Sequence, residues 1–154
     1  MKTLSAYLFT AVLGLSVLSG CKKDSEDADT APSKTSQLTA KSWRPTDIKV
    51  SGQSVFIAPF FNACDKDDFI KFNPDKSAIY DEGVLKCDAT KPQTSKGSWE
   101  LTTNETKLKL TDPSGDVTEG TIVTLNSTTL ILNASVDILG TGTPTPVELS
   151  FTAQ

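Results

Sequence analysis

The chain has 154 residues, 19 acidic against 15 basic side chains, a net charge of −4 and no histidine. An acidic balance disfavours nucleic acid and anionic lipid headgroups as partners. The missing imidazole excludes Ser-His-Asp and Cys-His nucleophile systems and His-based zinc sites, and no glycine-rich phosphate loop is present.

Lys2 gives the N-terminus a positive charge, and residues 4–18 form an uncharged stretch rich in Leu, Ala and Val. It is shorter than the roughly 20 residues needed to span a bilayer core and has the length of a secretory h-region. It ends in Leu18-Ser19-Gly20-Cys21. Against the alternative of a plain signal peptide, this tetrapeptide resembles the lipobox of bacterial lipoproteins, L-[AS]-[GA]-C, at all four positions. The resemblance implies that residues 1–20 are a lipoprotein signal peptide and that the Cys21 thiol receives a diacylglyceryl group. Further acylation, palmitate included, then holds the protein at a membrane, each buried CH₂ contributing about 0.8 kcal/mol. Lys22 stands where many lipoproteins retained at the inner membrane have Asp, which implies delivery to the outer membrane of the bacterial envelope.

Residues 21–37 read as an acidic flexible tether. Asp24, Glu26, Asp27 and Asp29 follow closely on Lys22 and Lys23, and no aliphatic side chain larger than Ala appears. Such a stretch buries too little surface to offset its ordering entropy. The acids also resemble the surface-export signal of Gram-negative bacteria that display lipoproteins outward, a reading compatible with a solvated linker.

From residue 38 to 154 the pattern is period-2 in short segments separated by turn residues, which predicts an all-β domain. The predicted strands are 41–50, 68–73, 77–81, 97–103, 106–111, 120–126, 128–135 and 146–152. Asn73-Pro74-Asp75-Lys76 is a turn, with Pro to fix φ and Asn and Asp to bond their own backbone. Trp99 and Leu101 alternate with Ser98, Glu100 and Thr102, as in a sheet with one wet face. Eight strands in adjacent antiparallel hairpins describe an up-and-down meander. Closing it into a barrel removes both exposed edges.

With Cys21 assigned to lipid, Cys64 and Cys87 remain as a pair in an oxidising compartment and read as a structural disulfide, worth about 3 kcal/mol in the chain-entropy model. A redox-active thiol is the alternative, but it lacks CxxC spacing.

Lys41-Ser42-Trp43, Cys64-Asp65-Lys66-Asp67-Asp68, Phe72-Asn73-Pro74-Asp75, Tyr80-Asp81-Glu82-Gly83, Cys87 and Gly97-Ser98-Trp99 form an ordered series. The series resembles the lipocalin-like domain of many bacterial lipoproteins. The resemblance implies an eight-stranded calycin-type barrel, Trp43 packing across its floor, and Cys64 bonded to Cys87. Lys41 departs from the Gly that secreted lipocalins carry two residues before this Trp.

Residues 55–63 are the most apolar stretch after the leader and hold Phe56, Phe60 and Phe61. In such a barrel they are expected across the open mouth, as a plug or as a lid over a ligand. Ile70, Phe72, Trp99, Leu108, Leu110, Leu149 and Phe151 fall on the inward face. With no charge among them, the expected ligand is small and apolar or amphipathic. Phe56, Phe60, Phe61, Phe72 and Trp99 are the ligand-binding candidates. Asp65, Asp67 and Asp68, with Asp81 and Glu82, offer oxygen ligands, but the spacing does not fit an EF-hand loop and they read as a solvated acidic turn, with no metal or cofactor.

Three functional readings follow. The first is a non-enzymatic, lipid-anchored barrel binding a small ligand or envelope component. The second is a surface interaction protein with a solid barrel whose loops engage a protein or glycan. A third, an enzyme, needs an acid/base pair built from carboxylates alone; Asp67 and Glu82 are the candidates, and nothing in their context points to activation.

Overall fold

The computed structural model describes residues 31–138 and 140–154. The leader, Cys21 and residues 22–30 of the tether lie outside them. One helix, α1 (Lys34–Thr39), precedes nine strands: β1 (Ser42–Val50), β2 (Gln53–Ser54), β3 (Phe69–Phe72), β4 (Ser77–Asp81), β5 (Thr94–Thr102), β6 (Lys107–Thr111), β7 (Val117–Leu125), β8 (Thr129–Val136) and β9 (Thr145–Ala153). They form one antiparallel sheet in which β1 also pairs with β9, closing the barrel. The two-residue β2 only folds back on the end of β1. Eight strands therefore make the barrel wall, in the up-and-down order that the alternation predicts.

Closure is uneven, and this shapes the site. β1 follows β9 from Trp43↔Ala153 to Val50↔Val147, but meets β3 only at Ser42↔Lys71 and Trp43↔Ile70. Beyond Trp43 the two strands part at Pro45, which has no N–H to give a ladder, and the register against β9 shifts between Pro45 and Asp47. The barrel is thus laced tightly at one end and opens at the other.

The closed end is the core. Trp43, Phe72, Trp99, Leu108, Leu130 and Leu132 are each at most 2% exposed. Both indoles carry a polar N–H into this interior, and both find a carbonyl: Trp43 Nε1 donates to Leu38 O and Trp99 Nε1 to Asn73 O, each at 2.9 Å. On the outer face Glu100, Lys109 and Glu119 stand in register across β5, β6 and β7. Lys109 pairs with Glu100 and Lys107 with Glu119, both at 2.9 Å.

The departures from sequence expectation have physical causes. Helix α1 begins at Lys34, inside the stretch that composition reads as tether. Six residues are too few to hold a helix by propensity. Ser33 Oγ caps it by accepting from Ser36 N at 3.0 Å, Lys71 Nζ donates to Thr39 O at 3.1 Å, and Leu38 is fully buried as the floor plug. Strand β5 starts at Thr94 rather than at 97, and β7 at Val117 rather than at 120. The added residues of β5 pair from Asp81↔Thr94 to Ile79↔Lys96, but being polar they carry no hydrophobic alternation.

Candidate functional site

Paired residues of β3 and β4 change character on rising from the floor. Phe72↔Ala78 lies in the core. Ile70↔Tyr80 packs against it only partly buried. Two residues further along each chain, on the same face by strand alternation, come Asp68 and Glu82. These four, with Phe69, Pro45, Phe151, Ser95 and the turn residues Asp112 and Pro113, line a cavity of about 330 Å³ that Asp65 and Asp81 also border. The lining comes from β1, β3, β4, β5, β9 and the β6–β7 turn, that is, from opposite walls of the barrel at its open end.

Close backbone approach and a staple hold this mouth in shape. The Tyr80 ring lies over Gly97, where a Cβ would stand 2.9 Å from Tyr80 Cε2 and run into the carbonyl oxygen of Thr111. The loops before β3 and after β4 are joined by the Cys64–Cys87 disulfide, with Cα atoms 5.2 Å apart. Asp67 Oδ2 reinforces the joint by accepting from Val84 N at 2.6 Å and Leu85 N at 2.8 Å. Gly83 makes the crossing possible: its φ is +63° and a Cβ there would sit 2.5 Å from Asp67 O. Asp81 Oδ1 accepts from Gln93 Nε2 at 2.7 Å, and Asp65 Oδ2 from Asn62 N at 2.6 Å. The acidic segment is therefore not a solvated turn. Asp65, Asp67 and Asp68 are all partly buried, and the first two organise the loops.

The cavity is electrostatically negative, and its groups respond to it differently. Burial and then the charges of Glu82, Asp67, Asp65 and Asp81 push the Asp68 carboxyl up to about 6. Its Oδ1 is sealed from solvent and has no hydrogen-bond partner. Asp112 moves the other way, held below its ordinary value first by the Ser114 hydroxyl, which donates at 2.6 Å, and also by backbone N–H groups of the turn. Burial, then the Asp112 charge, pushes Tyr80 up to about 12, so its hydroxyl stays neutral and able to donate. The lining contains no lysine or arginine.

The five ligand-binding candidates read from the sequence lie elsewhere. Phe72 and Trp99 pack on each other in the core, ring centroids 5.5 Å apart. Phe56 is buried, but against Phe61 at 4.9 Å and under Lys66 Nζ at 5.5 Å, in a satellite cluster. Phe60 is half exposed and borders a separate apolar pocket of about 190 Å³ with Val50, Val55, Ile138 and Thr145. Of the inward set, Ile70 and Phe151 do reach the mouth cavity. Pro45, Ser95 and Asp112 are not among the residues the sequence points to, and Tyr80 enters there only through the family series, not as a site candidate. Carrying the alternation of Phe72 and Ile70 back to Asp68 is the signal that finds the charged rim.

A family model for the lipocalin-like domain matches residues 39–132. The chain belongs to the lipocalin-like domain family. Domains of this family are in general not enzymes. The match runs from the end of α1 to the middle of β8, so every cavity residue of this lipocalin-like barrel falls within it except Phe151 on β9. No curated protein matches the chain.

Proposed function

We propose that this lipocalin-like domain is a non-enzymatic binder of a small amphipathic molecule, held at the outer membrane of a bacterial envelope by lipid on Cys21. The observation that carries the binding half is the mouth cavity: about 330 Å³ with mixed aromatic, aliphatic and polar walls, within the range of small-ligand sites. The core below it is filled by side chains, so the ligand seats in the open end rather than through the barrel. The anchoring half is supported by the complete lipobox at Leu18-Ser19-Gly20-Cys21. Chain entry agrees with it. α1 closes the floor, Lys34 Nζ reaching Glu105 O at 2.6 Å, so the polypeptide joins the barrel at the end remote from the mouth.

Two experiments test the halves. Labelled palmitate should be incorporated into the full chain and not into Cys21→Ser. A neutral arylnaphthylamine fluorophore should bind the full chain saturably at one site, and Ser95→Phe, which fills the cavity, should abolish the signal with the thermal transition retained. Absence of any saturable signal would remove the binder reading. It would favour a second one, a docking surface for protein or glycan on the mouth loops. The exposed apolar side chains Ile57, Phe60, Leu85 and Val84, the last 91% exposed, support that alternative.

A further inference from the structure

We infer that the mouth cavity selects an organic cation, a small molecule carrying a protonated amine on an apolar body. The inference rests on the proposed reading of the barrel as a binder and names the ligand's chemical class. The cavity floor and one side are apolar: Ile70, Phe151, Phe69 and the Tyr80 ring. Its rim is acidic, with Asp68, Glu82 and Asp112 following Ile70, Tyr80 and Leu110 along the inward faces of their strands. A molecule with one charged end and one apolar end matches this division. Its ammonium meets carboxylates, and its body meets rings whose faces also attract cations.

Two further observations separate this from an ordinary acidic surface. The first is that no ion pair among the described residues neutralises the rim. The three ion pairs among the described residues involve Lys49, Lys107 and Lys109 with Glu148, Glu119 and Glu100, none of them in the cavity lining. The second is Asp68, which lines the cavity and whose Oδ1 has no donor among the described residues. With no protein donor committed to that oxygen, the carboxylate keeps its charge for a ligand ammonium to meet. A bare divalent metal fits less well. Among the described residues, the group that brings three potential ligand atoms within 4.8 Å of one another is Cys64, Asp65 and Cys87, and its two sulfurs are joined in the disulfide. The mouth carboxylates are spread around a cavity with apolar walls, which suits an extended organic cation.

The test is calorimetric titration of the full-length protein with three probes sharing one body: 2-phenylethylamine, 2-phenylethanol and phenylacetate. The amine should bind at one site, at least about tenfold tighter than the alcohol, while the carboxylate should show no binding. Raising the salt should weaken the amine and leave the alcohol unchanged. Asp68→Asn and Glu82→Gln, both near-isosteric, should each lower amine affinity without changing that of the alcohol, a split that misfolding would not produce. Equal affinity for amine and alcohol would overturn the charge selection and leave the binder reading standing. Absence of binding by all three, together with the absence of the fluorophore signal, would overturn both. Stoichiometric displacement of the amine by calcium at micromolar concentration would overturn the organic-cation assignment in favour of a metal site.

Discussion

Asp68 and Asp112 border the same cavity, yet their protonation is driven apart. Asp112 has the Ser114 hydroxyl and turn N–H groups to stabilise its charge; Asp68 has burial and four neighbouring acids against it. Because the folded-state value for Asp68, about 6, lies above its ordinary value of 3.8, the native state binds more protons than the unfolded chain between those limits. This contribution to stability is fully present below the lower limit and is lost as pH rises through the upper one. Asp68→Asn should therefore stabilise the free protein at pH 7.5, by on the order of 1 kcal/mol after allowing for solvent screening at a half-open site. It should also flatten the dependence of stability on pH between 4 and 6. Urea midpoints at several pH values measure this, and a variant less stable than wild type at pH 7.5 would contradict the assigned environment. The same side chain shows where sequence reading stops at this scale. That Asp65, Asp67 and Asp68 are acidic is plain, but whether each acid caps a loop or faces a cavity depends on the partners that β4 and the disulfide bring from residues 81–87.

At the scale of elements, alternation was enough wherever one strand face is buried. The hairpin of β3 and β4, the β5–β6 pair and β9 stand where hydrophobic period-2 patterning puts them. It failed where pairing is made by polar backbone alone, at the first residues of β5, and where a short helix depends on tertiary support. Helix α1 is the clearest case, since its sequence looks like the end of a linker and its role is set by Leu38 and by the indole of Trp43 behind it. Truncating Leu38 to Ala opens the floor of the core and should cost about 2–5 kcal/mol, readable as a fall in the denaturant midpoint. A change within about 0.5 kcal/mol would mean that α1 only rests on the barrel. The apolar segment 55–61 illustrates the converse. Its composition announces burial, but not against which wall, and it forms its own cluster bordering a pocket separate from the mouth cavity.

For the whole molecule, the closed meander, the floor tryptophan and the Cys64–Cys87 bridge were legible because each follows from strand patterning, a resemblance or a count of cysteines. The location and charge of the cavity were not, because they arise from the early parting of β1 and β3 and from acids supplied by three separate segments. The result is a division of labour along the barrel axis: a filled, hydrogen-bonded floor closed by α1, and an open, negatively charged mouth at the other end. Binding at that mouth is the central claim. Native mass spectrometry of the full chain, extracted from its own membrane in mild detergent, tests it most directly. The account predicts a lipid-modified protein with an intact disulfide and one non-covalent small molecule, released on denaturation and carrying a basic nitrogen. A lipidated chain observed with an empty barrel throughout would contradict it.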